Sequence, residues 1–421
     1  MMGQTFAQKI FARASGRNEV RPGDTVFAKV DTVMLHEGGT FLVQRPLKEL
    51  GAARLADNLE VVVLLDHYVP APNTSAATRH KVTREFAKRM GVSTWYEAGR
   101  GGICHQVLPE KGHIRPGELV VAPDAHVTTY GALGAYGLGG GVTDIAIALG
   151  TGRTWAIVPE SVKVILKGEL QAGVSAKDVA LTLMGIFGEA SLAYKSLEIA
   201  GPAVGNMSLD GRMTVCNMCA EMGVKAVVMK PDRRCIEYVS GRSCKPFKVV
   251  WSDEDAEYEQ VHEVDVSEIP PTVAKPSRPS NASPVSEVAG TRIDQAFLGS
   301  CTNGRISDLR AAARMLKGHR VHPDVRLIVT PASQETYLQA MDEGLIRTFI
   351  EAGALVTNPT CGACIGGHMG LLADGEVCIA TSNRNYVGRM GSTRADIYLA
   401  SPETTTASAI AGCIVDPREF V

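Results

Sequence analysis

"DQAFLGSCTNGRISDLRAAARML", residues 294–316, decides the class of fold. An apolar run gives way at Gly299 to a loop of Ser, Cys, Thr, Asn and Gly, and an Ala/Leu/Arg helical pattern follows from near Ser307. A buried strand that feeds a helix through a small-residue loop is the unit of α/β folds, and such loops collect at the carboxyl ends of strands, where ligands bind. The succession recurs in "DVRLIVTPASQETYLQAM" (324–341) and in "GALVTNPTCGAC" (353–364). In "LEVVVLLDHYVP" (59–70) an unbroken β-branched run predicts a strand covered on both faces, with Asp66 and His67 at its carboxyl end.

Outward from these units, the chain has 421 residues, 45% hydrophobic and 21% charged, enough for two or three domains with cores of their own. Residues 268–290, "EIPPTVAKPSRPSNASPVSEVAG", are rich in Pro and Ser and lack an apolar period. They predict a surface linker between an N-terminal α/β body, 1–267, and a C-terminal α/β domain, 291–421. With 43 basic and 45 acidic residues the net charge is −2, which argues against a nucleic-acid face or binding to an anionic membrane. The N-terminal "MMGQTFAQKIFARASGRNEV" lacks the apolar stretch of a signal peptide, and no apolar run reaches the roughly 18 residues of a membrane span, so a cytoplasmic protein is expected. The run "GLGGG" is out of register for a dinucleotide-binding loop, and there is no Walker motif.

Ten cysteines are too few for a disulfide scaffold in a chain of this size. Cys361 and Cys364 lie in "NPTCGACIGG", and Cys301 lies in "LGSCTNGR", a loop of the same character. Three chemistries use such residues. A thioredoxin-like pair would explain Cys361 and Cys364 and leave Cys301 unused. A zinc site needs four ligands, whereas the two CxxC pairs, "CNMC" and "CGAC", lie more than 140 residues apart. An iron–sulfur cluster takes thiolates, and with three of them one iron stays open to water or substrate.

Three longer motifs, "GSCTNGR", "NPTCGACIGGHMG" and "TSNRNYVGRMGS", resemble those of the aconitase family, and the similarity runs from "GQTFAQKIFARASG" to "LASPETTTASAIAGCIVDP". In length and motif order the chain is similar to the large subunits of two-subunit members. The resemblance implies three-layer α/β/α domains packed around a [4Fe-4S] cluster, without the swivel domain. It implies cluster ligation by Cys301, Cys361 and Cys364, and reversible dehydration of a 2-hydroxy-dicarboxylic acid. Matched residue by residue, it assigns Asp66, His67 and His105 to positioning water and the departing hydroxyl, with Asp124 and His126 beside them. Asn217 and Glu221 would reach the solvent network of the cluster, Asn383 would stand next to it, and Arg384 and Arg389 would grip the carboxylates. Cys216 and Cys219 are left to core packing.

Two departures fall in the substrate pocket. Ala125, in "PDAHVTTYG", stands where the family usually has a carboxylate-binding serine, and "VMLHEGGTFLV" replaces a His-Glu-Val-Thr-Ser-Pro pattern. A site short of one hydrogen bond favours a small or alkyl-substituted malate over citrate. Isopropylmalate, citramalate, a dimethylmalate, homocitrate and maleate all remain open, as substrates of an isopropylmalate-type enzyme, a homoaconitase, a dimethylmalate dehydratase or a maleate hydratase. The resemblance also implies that the proton-abstracting base comes from a separate small subunit, because the chain stops some thirty residues past the arginine loop. An iron-sensing, RNA-binding regulator is the alternative of another class, against which the near-neutral charge speaks.

Overall fold

The computed structural model describes residues 3–420. Five parallel strands in the order Thr94–Tyr96, Glu60–Leu64, Thr32–His36, Leu119–Ala122 and Tyr136–Gly139 form the first sheet. Its strands are covered on both faces, as the unbroken apolar runs require. Val33, Leu35, Val61, Val63 and Val121 enter one core, and Met34, Val62, Leu64, Val120 and Ala122 enter another. Alternate side chains point to opposite faces, so two cores on one sheet make three layers.

The C-terminal sheet repeats the arrangement. Its order is Ala282–Pro284, Thr272–Ala274, Asp396–Leu399, Val377–Ala380, Gln295–Leu298, Arg326–Val329 and Leu355–Val356, with the last five parallel. Ala296, Leu298, Leu327 and Val329 pack on one side, while Phe297, Ile328, Cys378 and Ala380 pack on the other. A four-stranded parallel sheet, in the order Ala226–Met229, Ser196–Ala200, Ser161–Lys167 and Gln260–Asp265, lies between these two in the sequence.

The surface linker expected over residues 268–290 is not what forms there. Thr272–Ala274 and Ala282–Pro284 pair as an antiparallel hairpin, and Ala274 continues the sheet by pairing with Leu399. Thr272, Val273, Ala274 and Val285 are buried. Proline is tolerated here because an edge strand can do without one backbone donor. One cluster bridges the segment, joining Val162, Leu197 and Val227 to Phe297, Ile328 and Leu399, while the other large cores do not cross it.

The helix Phe6–Ser15 buries Phe6, Ala7, Ile10 and Phe11 against the first sheet and begins with a Thr5/Gln8 capping box. No helix among the described residues is long and apolar enough to cross a membrane. Asp66 and His67 follow the strand Glu60–Leu64, Asp124 follows Leu119–Ala122, and Cys301 and Asn383 follow Gln295–Leu298 and Val377–Ala380. The carboxyl ends of strands from two sheets therefore supply one crevice.

Candidate active site

Cys301 sits in the single helical turn Ser300–Asn303. Ser300 takes a left-handed conformation, φ 69°, uncommon for a residue with a side chain, and its hydroxyl accepts the Thr302 N–H at 3.2 Å. The buried Arg305 guanidinium clamps the turn from behind, donating to the carbonyls of Cys301 at 2.8 Å and Thr302 at 2.5 Å. On the second loop, Gly362 at φ 58° separates Cys361 from Cys364 and lies against the Phe297 ring. A side chain at Gly366 would strike the Arg389 carbonyl, so this position brings the thiol loop against the arginine loop.

All three thiols are buried. The Asn383 carboxamide oxygen lies 3.5 Å from Cys301 Sγ and 3.9 Å from Cys364 Sγ. Cys361 reaches the first sheet through its N–H, 3.3 Å from the Asp66 carbonyl, and the Thr360 hydroxyl donates to the same carbonyl at 2.9 Å. Asn383 donates to Asn217 Oδ1, and Asn217 donates to Thr129 Oγ1 at 2.8 Å.

Acid–base pairs face the thiols. Asp66 pairs with His67 Nδ1 and accepts the Cys104 N–H at 3.0 Å. His105 Nε2 lies 2.9 Å from Asp124 Oδ1, which also accepts the His126 N–H at 2.7 Å. His126 Nε2 lies 2.8 Å from Glu221 Oε1, and Arg384 Nε donates to the same oxygen at 2.8 Å. One carboxylate thus links a histidine to an arginine. Arg384 has no other protein acceptor among the described residues, so its terminal nitrogens are left for an anion.

The charges are mutually adjusted. Burial disfavours the imidazolium of His126, but Cys301 and Glu221 outweigh it and bring its pKa up to about 10. Burial likewise pushes the Cys301 thiol up, yet His126 and His105, helped by a hydrogen bond from Asn217, bring it down to about 6. Cys361 goes the other way, with burial driving it to about 12 against the opposing pull of His67. His67 is held well above the usual histidine range, burial being overcome by Asp66 and Cys361. Cys301 is therefore favoured as a thiolate, whereas Cys361 is favoured as a thiol.

Asp66, His67, His105, Asp124, His126, Asn217, Glu221, Cys301, Cys361, Cys364, Asn383 and Arg384 form one connected set. Arg389 joins it with Nη2 3.9 Å from Cys364 Sγ, while its buried Nε has no partner among the described residues. Ala125 stands at the exposed rim, beside a groove of about 620 Å³ that also touches Asp124, Tyr194 and Lys225. Cys216 and Cys219 are fully buried in the core, and neither hydrogen-bonds through its thiol to this set among the described residues.

Sequence reasoning passed over three supporting groups. The Glu37 carboxylate is wholly buried and accepts three consecutive N–H groups, from Asp66 at 3.1 Å and from His67 and Tyr68 at 2.9 Å. The His36 ring lies 4.4 Å from that of His67. Both residues belong to "VMLHEGG", where an acidic residue directly after an apolar strand was the available signal. Arg305 is the third, and its signal was a charged residue inside the small-residue loop.

The model of the aconitase family (aconitate hydratase) matches residues 9–412. A 3-isopropylmalate dehydratase large subunit of Methanopyrus kandleri is 49% identical over 421 residues, covering 100% of both chains. A probable methanogen homoaconitase large subunit of Methanothermobacter thermautotrophicus is 47% identical over 423 residues, covering 100% of this chain and 99% of the other. A 3-isopropylmalate dehydratase large subunit of Pyrococcus furiosus is 45% identical over 423 residues, with 100% of both covered.

Proposed function

The chain belongs to the aconitase family and is a hydro-lyase, and from that premise we propose that it is the large subunit of a [4Fe-4S]-dependent enzyme that dehydrates and rehydrates an alkyl-substituted malate, 3-isopropylmalate first among the candidates. The observation that carries this reading is the convergence of three buried thiols from two loops, Cys301 and Cys364 under Asn383 and Cys361 beside His67, facing histidine–carboxylate pairs and arginines. The donor set suits the cluster. Three thiols leave one metal corner without a protein ligand, and the unpartnered Arg389 Nε gives a nearby anion a donor. Bound there, a [4Fe-4S] cluster supplies Lewis-acid polarisation through its open iron.

The chain's own groups do the rest. Arg384 and Arg389 hold the substrate carboxylates and stabilise the charge that builds on one of them as the neighbouring carbon loses its proton. His126, charged and fixed by Glu221, and His67, charged and fixed by Asp66, are placed to give a proton to the departing hydroxyl. His105 and Asp124 hold the backbone N–H and ring of their neighbours in register. The names of the relatives as large subunits support a small partner that covers the crevice and supplies the base that takes the proton from carbon.

A homoaconitase substrate is the second reading, favoured by the near-equal identity to the relative of that name. Anaerobic reconstitution and a screen of unsaturated diacids separate the two. Hydration of an alkyl-maleate well above that of longer tricarboxylates supports the alkyl-malate reading, and the reverse order supports the other.

A further inference from the structure

Lys177 is a group that the reaction described above does not use. It lies near the start of the helix Ala176–Phe187 and is fully buried. Its ammonium donates to two successive carbonyls, of Thr381 at 2.8 Å and of Ser382 at 2.7 Å. No carboxylate among the described residues forms an ion pair with it, and the adjacent Asp178 is occupied by the N–H groups of Ser175 and Thr272, each at 2.8 Å. Two carbonyls do not repay the desolvation of a buried charge, so an unpaired ammonium at this depth requires negative charge nearby. The next two residues along the clamped strand end are Asn383, against the thiols, and Arg384, on Glu221.

We propose that Lys177 is a positioning residue for the hydro-lyase site, clamping the carbonyls of Thr381 and Ser382 so that Asn383 meets the thiols and Arg384 meets Glu221, and balancing the negative charge of the thiolates and their cluster. The charge-balancing half rests on the cluster reading given above. Burial draws the ammonium down to about 7, and Cys364 and Cys301 are the foremost groups acting to keep it charged. The clamp and that negative charge together let a cation stand inside a core that also holds Val179, Ala180 and Leu181. An apolar residue in its place would leave both carbonyls unpaired and let the strand end relax.

The test uses the reconstituted chain with Lys177→Met, Lys177→Gln and Lys177→Arg, assayed with the small partner protein. Removing a positive charge beside a cluster makes its reduction harder, so Met and Gln should move the cluster's midpoint potential to more negative values while Arg holds it. Met and Gln should also lower kcat/KM roughly tenfold or more, chiefly through KM, because the displaced Arg384 binds substrate. In a cycle with Asn383→Ala, the Lys177→Gln loss should be much smaller than in the native background, since both changes act through one loop. Gln is shorter than Lys and cannot span both carbonyls, so it loses the clamp as well as the charge, yet its polar amide suits the site even where Met fails to fold. An unmoved potential with kcat/KM within twofold of wild type, or fully additive losses in the cycle, would overturn the proposal. A wild-type chain that takes up no cluster would instead sink the cluster reading itself.

Discussion

Cys301 and Cys361 carry the same thiol into opposite surroundings. One is drawn down to about 6 through His126, and the other is driven up to about 12 by burial. Both are expected as ligands, so Cys301→Ser, Cys361→Ser and Cys364→Ser should each abolish cluster assembly, measured as iron and acid-labile sulfide per chain. Cys219→Ser, in the core and outside the thiol loops, should leave the iron content unchanged. At the rim, Ala125→Ser restores a hydroxyl beside Asp124 and should change relative kcat/KM among malate derivatives by about 1–2 kcal/mol, the scale of one hydrogen bond to a charged group. An unaltered substrate profile would show that this position does not face the ligand. The cysteine loops and Asp66-His67 were legible from their place after apolar strands, whereas His105, His126 and the arginines were picked out only by their resemblance to the family motifs. Lys177 was not, because its importance lies in burial without an ion-pair partner, which a linear pattern does not display.

Strand ends set the site, and their opposite ends anchor it. Glu60 begins the strand Glu60–Leu64 that leads to Asp66, and its carboxylate takes His113 Nδ1 at 2.6 Å, Arg115 Nη2 at 2.8 Å and Lys245 Nζ at 2.6 Å. Burial alone would raise the Glu60 pKa, but these three partners bring it from 4.5 down to about 2. A folded value below the unfolded one means that the stabilisation is complete above pH 4.5 and is lost as the pH falls toward 2. Glu60→Gln removes one of the two carboxylates that pair with the buried Arg115 and should destabilise the fold by about 2–3 kcal/mol at neutral pH, with the deficit shrinking below pH 4.5 in urea titrations. A pH-independent deficit would assign the loss to packing instead. The long strands and the helix Ile306–Leu316 were readable from their apolar periods. The hairpin within 268–290 was not, since strands of three residues carry too little alternation to stand out against the prolines around them.

At the scale of the molecule, one core runs from the four-stranded sheet into the C-terminal sheet, so the crevice is walled by parts that cannot move independently without exposing it. On the proposed reading, closure and the carbon base then fall to a small partner protein. The reconstituted large chain alone should turn over an alkyl-malate far more slowly than with the small protein added, and an equal rate in both samples would assign the base to a group of this chain, Glu221 or a histidine. The sequence pattern made the three-layer architecture readable, but not the shared core, because contacts between residues as distant as Val162 and Leu399 leave no local period. The most direct test of the whole account is the iron and sulfide content of the anaerobically reconstituted chain before and after mild oxidation. The account predicts about four irons and four sulfides per chain, with one iron lost on oxidation and regained on adding ferrous iron, because one corner has no protein thiolate. One iron or none without sulfide, or a full complement that resists oxidation, would contradict it.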